Sequence, residues 1–444
     1  MLKRQINILL LLFLGISVAG AAELPRVNLD HLLSLVQTVK LNGRSVKVID
    51  VYADYPSYKP VDAKGEGFAC VDDAARAAVL LIRYNGIFHK HANENVIEGL
   101  IRFVLAMQTK DGLFYNFVQR RDGGIVINKD GRTSVASFGW WAARAFWALG
   151  SATAYVRENN RPLYREIVAA VNKSMPHVES LVRNSGKLDN AGNPTWLLYG
   201  DGADATSELV LGLNEMYRAT GDAKYAAASQ MLCKGMIAMR KGSCDKAPYG
   251  MIPSNGDGWH AWANSQAEAI LQYSRLTHDT SLVRSALEEV NCFLPRWAGS
   301  LFFRSCNMSG GALDYSGQIA YDIGPAACAA AEAYEYTHER KYATLTAIIS
   351  SWLFGNNTAK IPFYSERTGI CFDGSIDSLK VNKNSGAEST IEALMALAAV
   401  HEVNANPKVI MLTSAPSFDA SEYHYRIDGK EMRVVMGSNG FEVR

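Results

Sequence analysis

An alternation between two kinds of helical segment constrains this chain more than any other feature of its sequence. Past Pro25, twelve stretches show helical periodicity, beginning near Leu32, Val71, Glu94, Phe138, Pro162, Ala205, Asp222, Asn264, Ser281, Ile323, Lys341 and Gly386, with Gly-, Asp- and Asn-rich loops between them. The even-numbered ones are Ala-rich and apolar nearly all round, as in DDAARAAVLLIRY, FGWWAARAFWALGSATAY and IGPAACAAAEAYEYT. A helix with no polar face must be covered on more than one side. The others, such as ENVIEGLIRFVLAMQTK and PLYREIVAAVNKSMPHVESLV, carry Lys, Arg and Glu along one face, which suits an outer surface. Inner and outer helices joined as consecutive hairpins predict an all-α fold, an (α/α)6 toroid of six helical hairpins over residues 23–404. The links RATGDAKY and RLTHDTSL, each between an inner helix and the next outer one, fit that repeat. An open helical solenoid is the competing arrangement.

Short β-rich pieces flank the helices. One runs from Val46 to Tyr52; the others, Lys408–Thr413, Tyr423–Ile427 and Met432–Met436, fall in a C-terminal extension, residues 405–444, with Asp428–Gly429 as a hairpin turn. The extension is too short for an independent sandwich and is expected to pack on the toroid. At the other end, Lys3 and Arg4 precede the apolar run Ile8–Val18 and the small residues Ala19-Gly20-Ala21, so residues 1–22 read as a signal peptide and the protein as secreted or periplasmic. No later segment is apolar long enough to span a bilayer, so no membrane association is expected after cleavage.

The 45 basic and 44 acidic residues nearly cancel, which leaves no electrostatic footprint for nucleic acid or a membrane surface and favours a neutral partner. The seven Cys residues are scattered: Cys233 and Cys328 lie in apolar helical patterns as core residues, while Cys244, Cys292 and Cys306 lie near helix ends or loops, with room for one disulfide. No Cys and His spacing suggests zinc, and no metal or cofactor is expected.

In a toroid the loops that lead into the inner helices share one mouth, and the polar and aromatic residues there are the candidates. EGFACVDDAARAAVLL offers Asp72 and Asp73; Asp72 stands one turn before Arg76 and is expected to pair with it, leaving Asp73 without a sequence-local cation. DGLFYNFVQRRDGG reads as a hairpin excursion presenting Tyr115 and Asn116, and SFGWWAAR supplies Trp140 and Trp141. WLLYGDGADATSELVLGL places Asp201, Asp204 and Glu208 around one helix start, and DGWHAWANSQAEA places Trp259, His260 and Trp262 before Glu268. Tyr321 and Asp322 precede the tenth helix; Asp373 and Asp377 lie in the loop before the last, where Glu388 and Glu392 are one turn apart. Glycosidic cleavage needs one carboxyl group to protonate the leaving oxygen and another to activate water or attack, with aromatic surfaces to hold the rings. On that chemistry Asp73 and Glu388 are the expected catalytic carboxylates, with Asp204 as substitute. The expected carbohydrate contacts are Asp72, Tyr115, Trp140, Trp141, Asp201, Trp259, His260, Trp262, Tyr321, Asp322 and Asp373.

FACVDDAARAAVLL, DGLFYNF followed by AARAFWALG, and NSGAESTIEALMAL together resemble the helical toroid domains of glycoside-hydrolase-like proteins, and are similar to those fused to bacterial glycosyltransferases. The resemblance runs from Val46 to Val400 and implies an (α/α)6 fold and sugar chemistry. Asp72, Asp73 and Glu388 keep the matching positions, whereas Gly139 and Trp140 stand where such relatives carry acidic residues. Two other readings share the fold: a polysaccharide lyase, with His260 or Tyr321 abstracting a proton, and a sugar-binding toroid without a competent acid pair.

Overall fold

The computed structural model describes residues 23–307 and 313–444; the expected signal peptide lies outside the described residues. The described chain opens with one turn of helix, α1 (Asp30–Ser34), and an antiparallel hairpin of β1 (Val36–Leu41) and β2 (Arg44–Ile49). This corrects the expectation of a full helix from Leu32. The β-branched residues Val36, Val39, Val46 and Val48 alternate along extended backbone, and Asn42 and Gly43, with φ of 50° and 77°, form the tight turn between the strands.

Long helices follow: α2 (Val71–Ile87), α3 (Glu94–Ala106), α4 (Trp140–Val156), α5 (Arg161–Val182), α6 (Ala203–Thr220), α7 (Ala223–Met239) and α8 (Gln266–Thr277). Two short ones, α9 (Val283–Glu288) and α10 (Leu294–Gly299), precede α11 (Ile323–Thr337), α12 (Arg340–Ser350) and α13 (Ala387–Val403). The Ala-rich helices pack in a ring: α2 on α4, α4 on α6, α6 on α8, α8 on α11, α11 on α13, and α13 back on α2. Small residues set the spacing. A Cβ on Gly150 would meet the Gly212 carbonyl oxygen at 2.4 Å, and one on Gly212 the Phe146 backbone at 2.4 Å, so α4 and α6 touch backbone to backbone.

Outside the ring, α3 covers α2, α5 covers α4, α7 covers α6, α9 covers α8 and α12 covers α11. The helix expected from Ser281 is broken. A π-helical segment, Glu289–Phe293, separates α9 from α10, because Pro295 has no N–H for the carbonyl four residues back and its ring would crowd that carbonyl. Among the described residues, no helix is long and apolar enough to cross a membrane.

The C-terminal extension is a four-stranded antiparallel sheet in chain order, Ile410–Leu412, Glu422–Ile427, Lys430–Gly437 and Gly440–Val443; the last strand was not foreseen from sequence. Asp428 and Gly429 make its central turn at φ of 49° and 76°. The sheet leans on the outer layer: Tyr423 fills the space beside Gly299, Phe441 meets Tyr342 at 6.1 Å, and Arg296 Nη1 donates to the Ala420 carbonyl. Cys244 and Cys292 form a disulfide, Cys306 stays free, and Cys233 and Cys328 are buried.

Candidate functional site

The starts of α2, α4, α11 and α13 surround a cleft of about 510 Å³, whose lining includes Asp72, Trp140, Trp141, Arg144, Trp262, Arg304, Tyr321 and Glu388. Beneath it lie two buried arginines, from the repeated tetrapeptide Ala-Ala-Arg-Ala at 74–77 and 142–145. A guanidinium inside an apolar ring must collect anions, since an unpaired charge there is too costly to bury. Arg76 Nη2 lies 2.8 Å from Asp73 Oδ1 and 3.1 Å from Glu388 Oε1, and its Nη1 lies 3.0 Å from Glu392 Oε1. Arg144 Nε lies 2.8 Å from Glu208 Oε2, Nη1 lies 3.2 Å from Asp72 Oδ1, and Nη2 donates to the Tyr321 hydroxyl. The Tyr321 ring stands between them, 4.6 Å from the Arg76 guanidinium and 5.7 Å from that of Arg144.

Five carboxylates thus share two cations. Burial pushes Asp73 up to about 6 against the pull of Arg76, and Glu392 up to about 7 against the same cation. Burial also raises Glu208, with Arg144 opposing it.

The expected side-chain pair of Asp72 with Arg76 does not form. Arg76 takes the Asp73 carboxylate instead, and only its Nε reaches Asp72, at the backbone carbonyl. The reason is directional: neighbouring positions are rotated by about 100° around a helix, so Asp73 faces Arg76 while Asp72 faces the mouth and Arg144 on α4. There Asn116 Nδ2 donates to Asp72 Oδ2 at 3.0 Å, while Asn116 Oδ1 accepts from the backbone of Val71 and Asp72. Asp72 Oδ1 touches Arg144 without hydrogen-bond alignment and is otherwise unpartnered. Asp73 lies below the cleft, buried, with the Cys70 thiol at 3.3 Å. Glu388 is the open member of the group, its side chain 46% exposed.

One wall is aromatic. Trp262 stacks on His260 with centroids 3.7 Å apart, and its ring lies 5.5 Å from Trp140 and 6.0 Å from Tyr321. His260 is held at both nitrogens: Nε2 is 3.0 Å from Asp204 Oδ2, and Nδ1 is 3.0 Å from the Trp262 carbonyl. Asp204 is buried behind it.

Other expected contacts fall outside the cleft lining. Trp259 is buried among Phe293, Trp297 and Phe303, as a core residue rather than a sugar platform. Asp373 anchors the start of α13, accepting from Gly386 N at 3.1 Å and from the Ser389 hydroxyl. Asp322 accepts from Ile319 N at 3.2 Å in its own turn, and burial raises it to about 8. Asp201 accepts from Gly256 N and ties two loops together, and Tyr115 is half-buried beside the hairpin strands Phe117–Arg121 and Gly124–Ile127. Each of these carboxylates answers backbone donors that the loops would otherwise bury unpaired, a demand that spacing alone does not reveal. Conversely, Arg144 was not foreseen, although the second Ala-Ala-Arg-Ala was there to find it. Among the described residues, no three His, Cys, Asp or Glu side chains are grouped to hold a metal ion.

No family profile matches this chain, and no curated protein sequence is significantly similar to it. Solved structures do share its fold. Cellobiose 2-epimerase from Bacillus thermoamylovorans B4167 has a TM-score of 0.58 at 11% identity, with 85% of this chain and 95% of that one covered. A sugar epimerase from a ruminal bacterium gives 0.54 at 12%, covering 79% and 91%. The cellulase Cel9M of C. cellulolyticum, in complex with cellobiose, gives 0.52 at 11%, covering 81% and 89%. At such identities the likeness concerns the fold, and this chain is similar in fold to (α/α)6 toroid proteins.

Proposed function

We propose that this chain is an exported glycoside hydrolase that cleaves an oligo- or polysaccharide in the cleft, with Asp72 and Glu388 as its paired carboxylates. The observation that carries this reading is their convergence: from opposite ends of the chain, both face one tryptophan-walled cleft, and each leans on a buried arginine. Asp73, the acid expected from sequence, is enclosed with Arg76 and Cys70 and serves better to position the Arg76 guanidinium under Glu388. Asp204 likewise serves to position His260.

Asp72 is fixed by Asn116 on one oxygen and touched by Arg144 on the other, which suits either the base that takes a proton from the attacking water or the nucleophile that attacks the anomeric carbon itself. Glu388 has a single ion contact and an open side chain, which suits the acid that must follow the leaving oxygen. Trp140, Trp141 and Trp262 offer ring faces for the sugars. Arg304, at the rim, is a hydrogen-bond donor for hydroxyls.

The fold is read as six helical hairpins, the first with its outer member reduced to α1. Fold-alike structures include two named as sugar epimerases and one cellulase bound to cellobiose, which supports a carbohydrate substrate. Hydrolysis is favoured over epimerisation or lyase chemistry because the groups that would abstract a carbon-bound proton are engaged: both His260 nitrogens face acceptors, and the Tyr321 hydroxyl is held by Arg144. The test is a glycan panel with the purified protein, read by chromatography of released reducing ends, by proton NMR for epimers and by absorbance for unsaturated products. New reducing ends without unsaturation are expected; an epimer formed without cleavage, or an unsaturated product, would overturn the assignment. Residues 1–22 are proposed as the signal peptide, cleaved near Ala21 or Ala22, and N-terminal sequencing of exported material tests that separately.

A further inference from the structure

The ring has a second mouth, at the C-terminal ends of the inner helices, where a cavity of about 410 Å³ receives residues from all six of them. Its guanidinium groups are spoken for. Arg83 is paired with Glu402, Arg218 with Glu215, and Arg275 with Glu332, each through two nitrogens of one arginine. Among the described residues, two lining carboxylates have no hydrogen bond or ion pair, Glu268 in the wall and Glu335 at the rim. Glu268 is only 9% exposed, and burial pushes it up to about 8 even with Arg83 nearby, because Glu332, Glu402 and Glu392 add to the negative field. Around them, Val79, Trp147, Leu211 and Met395 give apolar wall, and the helix ends contribute further negative potential. A compact metal ion does not suit this place, since the carboxylates are not grouped as a coordination shell among the described residues. An elongated cation does: an ammonium group beside Glu268 would favour its ionised form, a second would answer Glu335, and methylenes would lie along the apolar wall.

We infer that this second mouth is a binding site for a linear aliphatic polyamine, held by Glu268 inside and Glu335 at the rim. The site uses none of the side chains that line the candidate active-site cleft. It is tested by isothermal calorimetry on the full chain at low ionic strength, with putrescine and spermidine as probes and 1,4-butanediol as the uncharged control. Spermidine is expected to bind more tightly than putrescine, and the diol not at all. Glu268→Gln should weaken spermidine at least tenfold and Glu335→Gln at least threefold, while Asp72→Asn binds as the parent does. Melting curves of each variant accompany the titrations, and the rim variant keeps the test decisive if Glu268→Gln does not fold. No heat with spermidine, parental affinity in Glu335→Gln, or binding lost in Asp72→Asn would each overturn the inference, the last by placing the amine in the cleft.

Discussion

At the N-terminal mouth of the ring, Arg76 and Arg144 are shared among five carboxylates, whereas at the C-terminal mouth Arg83, Arg218 and Arg275 each take one glutamate in a closed pair. Helices α2, α6 and α13 contribute to both, so the difference lies in how charge is distributed along them. One-to-one pairs neutralise themselves and give a rigid rim. Shared cations leave each carboxylate partly compensated, and the two that face the cleft, Asp72 and Glu388, keep capacity for another partner. A shared network and a set of closed pairs can therefore be built from the same residue types, distinguished by stoichiometry.

The sharpest way to break this contrast is to remove single carboxylates at either end. Asp72→Asn and Glu388→Gln are each expected to lower turnover on the panel-identified substrate by about 10²–10⁴-fold, the usual range for a lost acid or base, with little change in melting temperature. Glu402→Gln, at the other mouth, should leave turnover within about threefold because it lies outside the reacting geometry. Parental turnover in Asp72→Asn or Glu388→Gln would remove that residue from the mechanism.

Next in size is the loss of a shared cation. Arg76→Met leaves Asp73 and Glu392 buried without compensation, and is expected to destabilise the chain by about 3–5 kcal/mol, measured by chemical denaturation. Arg83→Met at the other mouth leaves Glu402, whose side chain is 25% exposed, without its ion pair and should cost less. Equal losses at the two mouths would show that sharing has no structural meaning.

A carboxyl outside both mouths provides a reference for pH. Glu289 accepts from Ile252 N at 3.0 Å, and burial raises it to about 8 from its ordinary 4.5. A carboxyl raised on folding favours the folded chain while it is protonated. That stability is fully present below the ordinary value and is lost as pH rises through the folded one. Melting temperature should therefore fall between about pH 5 and pH 8, and Glu289→Gln, whose amide oxygen can accept the same bond, should flatten part of that fall. The smallest expected effect is at the aromatic wall, where Trp262→Ala should raise KM by about 3- to 10-fold, the value of one aromatic contact, with kcat little changed.

Most helix starts were legible because their signals are local. The periods opening at Val71, Glu94 and Ile323 match the observed first residues of α2, α3 and α11. The first outer helix misled because Leu32, Leu33 and Leu35 suit a helix, while the stronger Asn42–Gly43 hairpin signal lay beyond them. At the site, the mouth was legible as a place where Asp72, Glu388 and the tryptophans gather. The division of labour between Asp72 and Asp73 was not, because it depends on Arg144 and Asn116, which arrive from other elements and outbid the in-helix spacing. Trp259 and Trp262 show the same limit: three residues apart in one loop, one is locked in the core and the other faces the cleft.

Ring closure is also a long-range event. Arg76 and Glu392 are separated by 316 residues, so their contact forms only when the two ends of the ring meet. Until then α2 carries a guanidinium whose distant anions, Glu388 and Glu392, are not beside it. Asp73, three residues upstream, is the one of its three acid partners that is local in sequence. The acid that looked most like a catalyst is thus the partner Arg76 finds within its own helix, and the last inner helix brings the other two to complete the circle.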